Sequence, residues 1–252
     1  MIISCVLLFL RQVVSGCLAQ SFLSLFFISE RRYTHMKRYI YGFGGISLEL
    51  AEIMRAKNEC ISGFVIDGEY LKDDMNNNSL HIPVISFEEY ARHYEEEHSV
   101  ITITLGEPAY REKLSLKLKD YGIEESSVNL GEYVSSDSFI GRGTILHLDS
   151  VISSGCSTGR SCLINKRVII GHDSTVGDYC VISPSAVMGG HVSIGNKCFI
   201  GLGACIRDRI RIGDNVIIGM GAVVTHDIES ESVAYESPAE IIRRNESHKV
   251  FR

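Results

Sequence analysis

The sequence predicts a two-part chain: a small parallel α/β domain of Rossmann-like type, followed by an all-β parallel β-helix. Two observations carry this reading. Between Met36 and Gly122 a strand, a glycine turn and a helix recur. From Val134 to Val224 an aliphatic residue returns at every sixth position, with one exception and no slip of register. Residues 36–125 are read as the α/β domain, 126–228 as the β-helix and 229–252 as a C-terminal tail.

The α/β domain opens on the short apolar run Arg38–Tyr41, which leads into GFGGISLELAEIMRA. Gly42, Gly44 and Gly45 make a tight turn, Ser47 can cap, and Leu48, Leu50, Ile53 and Met54 suit one face of a helix. A second run, ISGFVID, ends at Asp67, and an acidic helix is expected over Phe87–Glu97. SVITITLGEPAYREKLSLKLKDYG then supplies another strand, a glycine turn at Gly106 and a helix. Glycines after a first strand let a phosphate approach the backbone at a helix N-terminus. The spacing here is G-x-G-G, which also fits a tight turn that binds nothing. Asp67 ends a strand where a ribose or base contact is expected, and it reads equally as a strand-end cap. Gly106 lies on the same edge of the sheet. Together these features at the C-terminal ends of strands point to a nucleotide site.

The β-helix is carried by sixteen hexads whose aliphatic positions run Val134, Ile140, Leu146, Ile152 and onward to Val224; only Thr158 is not aliphatic. Glycine often follows, as at Gly141, Gly171, Gly189 and Gly219. Three hexads make one triangular coil of about 18 residues, with the aliphatic side chain filling the prism and the following small residue expected at a corner where the backbone is tight. Cys156, Cys162, Cys180 and Cys198 all occupy the repeat's small-residue position, so they read as packing residues rather than ligands or nucleophiles.

Composition narrows the function classes. The chain of 252 residues carries a net charge of −6 with no basic stripe, which argues against nucleic acid. Its 8 Cys show neither a CxxC pair nor zinc-finger spacing and suit a reduced, cytoplasmic protein. Residues 1–35 do not match the rest. They are apolar but interrupted by Arg11 and Gln12 and lack the layout of a signal peptide, and a second start stands at Met36. They are read as a non-native start extension or a membrane-associating leader, with membrane association expected only if they are genuine.

In a coiled repeat, residues 18 apart lie one above the other. His172 then stacks with Ser154 and Gly190, and Asn165 with His147, Ser183 and Gly201. One region of one face is expected to gather His172, Asp173, Asn165, Gly190 and His191. His172 follows a corner glycine, so its side chain should point outward, as an ordinary surface histidine would too.

The hexad run, the GHD of Gly171–Asp173 and the terminal IIGMGAVVTHDIESESVAYESPAEIIRR resemble the left-handed β-helix (hexapeptide-repeat) acyltransferases. With the glycine-turn domain in front, the whole of 36–242 resembles the bacterial nucleotide-amino-sugar N-acetyltransferases, grouped with the sialic-acid O-acetyltransferases of surface-polysaccharide pathways. The resemblance implies a left-handed β-helix, a homotrimer with sites between neighbouring helices, acetyl-CoA as co-substrate, no metal, and a nucleotide-activated amino sugar or sialic acid as acceptor. It makes His172 the general base and Asp173 the acidic neighbour that strengthens it. It makes Asn165 a substrate contact, Gly190 a backbone donor near the acyl group, and Leu202 and Met220 contacts of the coenzyme A arm. Gly44, Gly45, Ile46, Asp67 and Gly106 match the nucleotide-sugar site. Three positions depart from the pattern: Val181 where some members have a second histidine, Ile46 where a histidine or small residue is common, and Glu236 where glycine usually precedes the near-terminal proline.

The chemistry asked of these residues is direct acyl transfer. An amine or hydroxyl attacks the thioester carbonyl, a histidine takes the proton, and a backbone N–H meets the oxyanion. Two other readings compete. A γ-carbonic-anhydrase type of metalloenzyme would use His172 and His191 with His147 or His226 as a third ligand, but it leaves the α/β domain without a role. A non-catalytic nucleotide-sugar-binding scaffold would use the β-helix only to trimerise.

Overall fold

The computed structural model describes residues 36–251, so the segment 1–35 lies outside the described residues. Among the described residues no helix is long and apolar enough to cross a membrane.

The first part is a four-stranded sheet of β1 (Lys37–Tyr41), β2 (Gly63–Ile66), β3 (Val84–Ser86) and β4 (Ser99–Ile103), in the order β3-β2-β1-β4. The β1–β2 and β2–β3 pairs are parallel. Three helices connect and cover it: α1 (Gly45–Ala56), α2 (Phe87–Glu97) and α3 (Pro108–Asp120). The strands alternate as a sheet buried on both faces must. Ile40, Phe64 and Ile66 join Leu50 and Met54 of α1 in one cluster. Tyr39, Tyr41, Val65, Ile101 and Ile103 join Phe87 and Tyr90 of α2 and Leu114 and Leu118 of α3 in another. Helix α1 begins earlier than expected: Gly44 is its N-cap, and the Ser47 hydroxyl reaches back to accept the Gly44 N–H at 3.3 Å while pairing with Thr104 Oγ1 at 2.8 Å.

The second part is a parallel β-helix of two-residue strands stacked in three sheets, which fits the left-handed form. Each strand pairs with one 18 residues on, as in Ile164↔Ile182, Ile170↔Met188 and Val176↔Ile194. The predicted aliphatics fill the prism, and Thr158 is buried among them. Cys156, Cys162, Cys180 and Cys198 are buried free thiols. The three faces differ. One, carrying Ile145, Leu163 and Val181, is buried against the α/β part. A second presents Tyr133, Val151, Ile169, Val187, Cys205 and Val223 outward, and the third Phe139, Ser157, Thr175, Ser193 and Arg211.

The corners are not built as the repeat suggests. The tight backbone conformation falls three residues after the aliphatic, not at the glycine that follows it: Ser161, Arg167, Asp173, Tyr179, Ser185, His191 and Lys197 all have φ near +60°. A left-handed residue costs about 1–2 kcal/mol without compensation, and each is held by a bond to the coil below, as Asp173 N–H to Ser154 O at 2.9 Å and His191 N–H to His172 O at 2.8 Å. The post-aliphatic glycines are required by stacking instead. A Cβ on Gly171 would lie 2.5 Å from the Gly189 carbonyl carbon of the next coil.

Arg111 of α3 ties the two parts together. It is fully buried and donates through Nε to Ser161 O at 2.6 Å, through Nη1 to Ile103 O and Leu105 O, and through Nη2 to Cys162 O. Beyond the last coil, Ser232–Tyr235 pairs antiparallel with Glu240–Arg244. Glu236, the residue found where glycine is usual, has φ +81° between them. The chain then returns to the α/β part, where the Val250 and Phe251 N–H groups donate to the Glu107 carboxylate.

Candidate active site

Ile170 anchors the turn that carries His172, with its side chain locked inside the prism. The positive φ of Asp173 turns that residue back along the corner. His172 Nδ1 lies 2.9 Å from Asp173 Oδ2, and both side chains are exposed. The carboxylate accepts from Nδ1–H, so the lone pair sits on Nε2, the form able to take a proton. Directly above, Gly190 leaves room for the ring: a Cβ there would stand 2.6 Å from Nε2. His191, one residue on, meets His172 edge to face with ring centroids 5.0 Å apart, and its Nε2 is 3.9 Å from the same Asp173 oxygen.

Gly190→Ala is therefore expected to push the His172 ring off its position. The expected loss is about 10²-fold in kcat, the scale of a misplacement near 1 Å, with an unchanged melting temperature. Steady-state kinetics beside a thermal melt checks this, and a kcat within twofold of wild type would show that the ring position does not matter.

Asn165 does not join this group within one chain. It is buried at the corner between the α/β-facing sheet and the second face, and its amide donates to Ile182 O at 3.1 Å. The physical reason is the repeat itself: Asn165 and His172 lie in successive hexads, and one whole face separates their corners. Leu202 and Met220 stand at the Asn165 corner, both well exposed and 18 residues apart. Val181 is buried in the cluster that joins the β-helix to the α/β part, away from the His172 corner.

Neither His147 nor His226, the two histidines offered as a third metal ligand, joins His172 and His191 in one group among the described residues. His147 is buried at the Asn165 corner, where its Nδ1 accepts the Leu148 N–H and burial, then the nearby Lys166, lowers its pKa. Among the described residues the group of three metal-capable side chains is His172, Asp173 and His191. Two of those three already bond to each other.

At the strand ends of the α/β part, a Cβ on Gly44 or Gly45 would meet nothing within 4 Å, and one on Gly106 would touch only Ile46 Cδ1 at 3.6 Å. These glycines border open space rather than packed neighbours. Asp67 is engaged. Lys117 Nζ and the Tyr41 hydroxyl both donate to its Oδ1. Burial raises the Asp67 pKa, but these two hydrogen bonds outweigh it and hold it below the usual carboxylate value. Tyr41 is pushed up, by burial first and then by Asp67. Sequence reasoning missed Lys117, Tyr41 and Arg111, which no local pattern distinguishes. It also missed the apolar second face, which was readable in the residue before every third aliphatic.

Two family models match the coils: a bacterial transferase hexapeptide model over residues 155–190 and a hexapeptide repeat of succinyl-transferase over 191–226. The fold and corner geometry agree with them. The chain is a hexapeptide-repeat acyltransferase. No curated relative matches this acyltransferase. Among solved structures it is similar to a perosamine N-acetyltransferase from Caulobacter crescentus in complex with CoA and GDP-perosamine, at 25% identity and TM-score 0.75, over 82% of this chain and 97% of that one. That structure is a variant with one histidine changed to asparagine. The acyltransferase is also similar to WeeI from Acinetobacter baumannii, at 25% identity and TM-score 0.70, over 82% and 100% of the two chains. The acetyltransferase domain of PglB from Neisseria gonorrhoeae with acetyl coenzyme A shares the fold, at 24% identity and TM-score 0.74, over 82% and 100%.

Proposed function

We propose that this chain is a cytoplasmic, acetyl-CoA-dependent acetyltransferase acting on the amine, or a hydroxyl, of a nucleotide-activated sugar or sialic acid in bacterial surface-glycan biosynthesis. The observation that carries it is the His172–Asp173 pair, with Nε2 held bare over Gly190. The acceptor amine attacks the thioester carbonyl and forms the C–N bond while His172 Nε2 takes its proton. The resulting oxyanion is met by the Gly190 N–H. Collapse breaks the C–S bond, and the imidazolium returns the proton to the departing thiolate. Asp173 keeps the tautomer and stabilises the imidazolium.

The α/β part is the Rossmann-like nucleotide-sugar domain in this reading. Gly44, Gly45 and Gly106 give the phosphates access to backbone, Ile46 borders the sugar, and Asp67 meets the nucleoside through Oδ2. Asn165 spends one amide hydrogen on Ile182 O and keeps its other N–H and its Oδ1 for a substrate.

The placement of the site residues supports a homotrimer. Ile169 and Val187 are 41% and 38% exposed in the middle of the apolar second face, as an interface waiting for a copy would be. The corners flanking that face carry His172 on one side and Leu202 and Met220 on the other. One chain cannot join them; adjacent copies around a threefold axis can, with the coenzyme A arm along Leu202 and Met220.

The test is thiol release from acetyl-CoA across UDP-, GDP- and dTDP-aminosugars and CMP-sialic acid. Release with no member would leave the non-catalytic scaffold. A finer expectation concerns Gly44→Val. The added Cβ meets no protein atom within 4 Å and the side chain extends into the cradle, so KM for the sugar nucleotide should rise at least about tenfold, a loss of about 1.4 kcal/mol, while KM for acetyl-CoA stays within twofold. Equal changes in both would remove the nucleotide site from this domain.

A further inference from the structure

The C-terminal residues contribute to neither core, yet they are placed firmly. Glu107 is buried, and both of its carboxylate oxygens accept backbone N–H groups from residues more than 140 positions away: Val250 to Oε1 and Oε2, and Phe251 to Oε2, at 3.0–3.1 Å. The Phe251 ring meets Phe199 edge to face at 5.6 Å, and Lys249 Nζ stands 5.9 Å over the Tyr110 ring. Between Tyr110, Lys249 and Phe251 lies a cavity of about 500 Å3 that opens onto Gly106. Tyr110 and Phe251 are 45% and 58% exposed, a large apolar area for a protein to leave in water.

We infer that the folded-back C-terminus forms one wall of a nucleoside diphosphate site, with the base held against Tyr110 and Phe251 and Lys249 facing the phosphates. This rests on the nucleotide-sugar reading and adds its recognition element. The chemistry follows from what lines the space. Two aromatic side chains favour a planar π-system. One ammonium favours an anion. The one carboxylate present, Glu107, turns both oxygens to the tail amides, which leaves Lys249 as the charged side chain free to meet the ligand. Gly106, beside Ile46, lets the ligand continue toward the open Gly44–Gly45 turn. Stacking accepts every base, so this wall should add affinity by a similar factor for each nucleotide that binds, leaving the choice between bases to other contacts.

The test is calorimetric titration of UDP, GDP and dTDP into the full chain, into a chain ending at Glu246, and into Phe251→Ala and Phe251→Trp. Phe251→Ala keeps the backbone bonds to Glu107, so it reports on the ring even if truncation disturbs folding. We expect Phe251→Ala to weaken each nucleotide that binds by about tenfold, the scale of one lost base stack. Truncation should do the same or more, Phe251→Trp should restore binding, and coenzyme A binding should stay within twofold throughout. Unchanged nucleotide binding in Phe251→Ala and in the truncated chain would overturn the tail's role and leave the nucleotide-sugar reading standing. Absence of binding by all three nucleotides to the full chain would overturn both.

Discussion

His172→Ala is expected to lower kcat by at least about 10²-fold, the contribution of a positioned general base, with KM for both substrates within a few-fold. The side chain is exposed, so its removal takes nothing from the aliphatic prism, and melting temperature and oligomeric state should stay at their wild-type values. Asp173→Asn should cost less. The amide keeps the turn but can present its NH2 to Nδ1, which favours the wrong tautomer and removes the charge that stabilises the imidazolium. The two variants should then differ in pattern: loss at all pH for His172→Ala, and a smaller loss for Asp173→Asn. Turnover by His172→Ala near wild type, measured by thiol release with saturating acetyl-CoA and acceptor, would end the assignment of His172 as base.

Strong periodicity made the β-helix legible. A six-residue repeat converts sequence distance into vertical stacking, so the placement of Gly190 over His172 was arithmetic, and the structure puts the two in contact. The same arithmetic was silent about azimuth. Asn165 and His172 differ by seven residues, and only the coil geometry shows that this crosses one face and separates two corners. The post-aliphatic glycines serve stacking rather than a tight turn, for a related reason. Their backbone angles are ordinary, and what excludes a side chain is the neighbouring coil, a long-range contact that composition does not report. In the α/β part the acidic run Phe87–Glu97 forms the helix expected of it. The Lys117–Asp67–Tyr41 cluster was invisible because its members lie 26 to 76 residues apart and meet only after the sheet has formed.

Arg111 carries the other large expected effect, on stability rather than rate. Its guanidinium is fully buried, and burial lowers its pKa to about 10, so it stays a cation at neutral pH. Carbonyl oxygens solvate that charge: Ile103 and Leu105 from the α/β part, Ser161 and Cys162 from the first coils. Replacement by Leu or Met would fill most of the volume yet leave those carbonyls without the donor that now serves them, and would remove the cation that offsets the charge of Glu125, whose buried Oε2 has no hydrogen-bond partner. Unmaking hydrogen bonds to a charged group costs about 1.5–3 kcal/mol each in favourable cases, and breaking a buried charged arrangement about 3–5 kcal/mol in all. Arg111→Met is therefore expected to destabilise the chain by about 3–5 kcal/mol. Because the four carbonyls belong to both parts, the loss should also uncouple them. Chemical denaturation followed by far-UV dichroism should change from one transition to two, the α/β part unfolding first and the β-helix, whose Ile layers are untouched, unfolding later. A single transition at the wild-type midpoint would mean that the apolar cluster of Ile40, Phe64, Leu163 and Val181 holds the two parts together without the arginine.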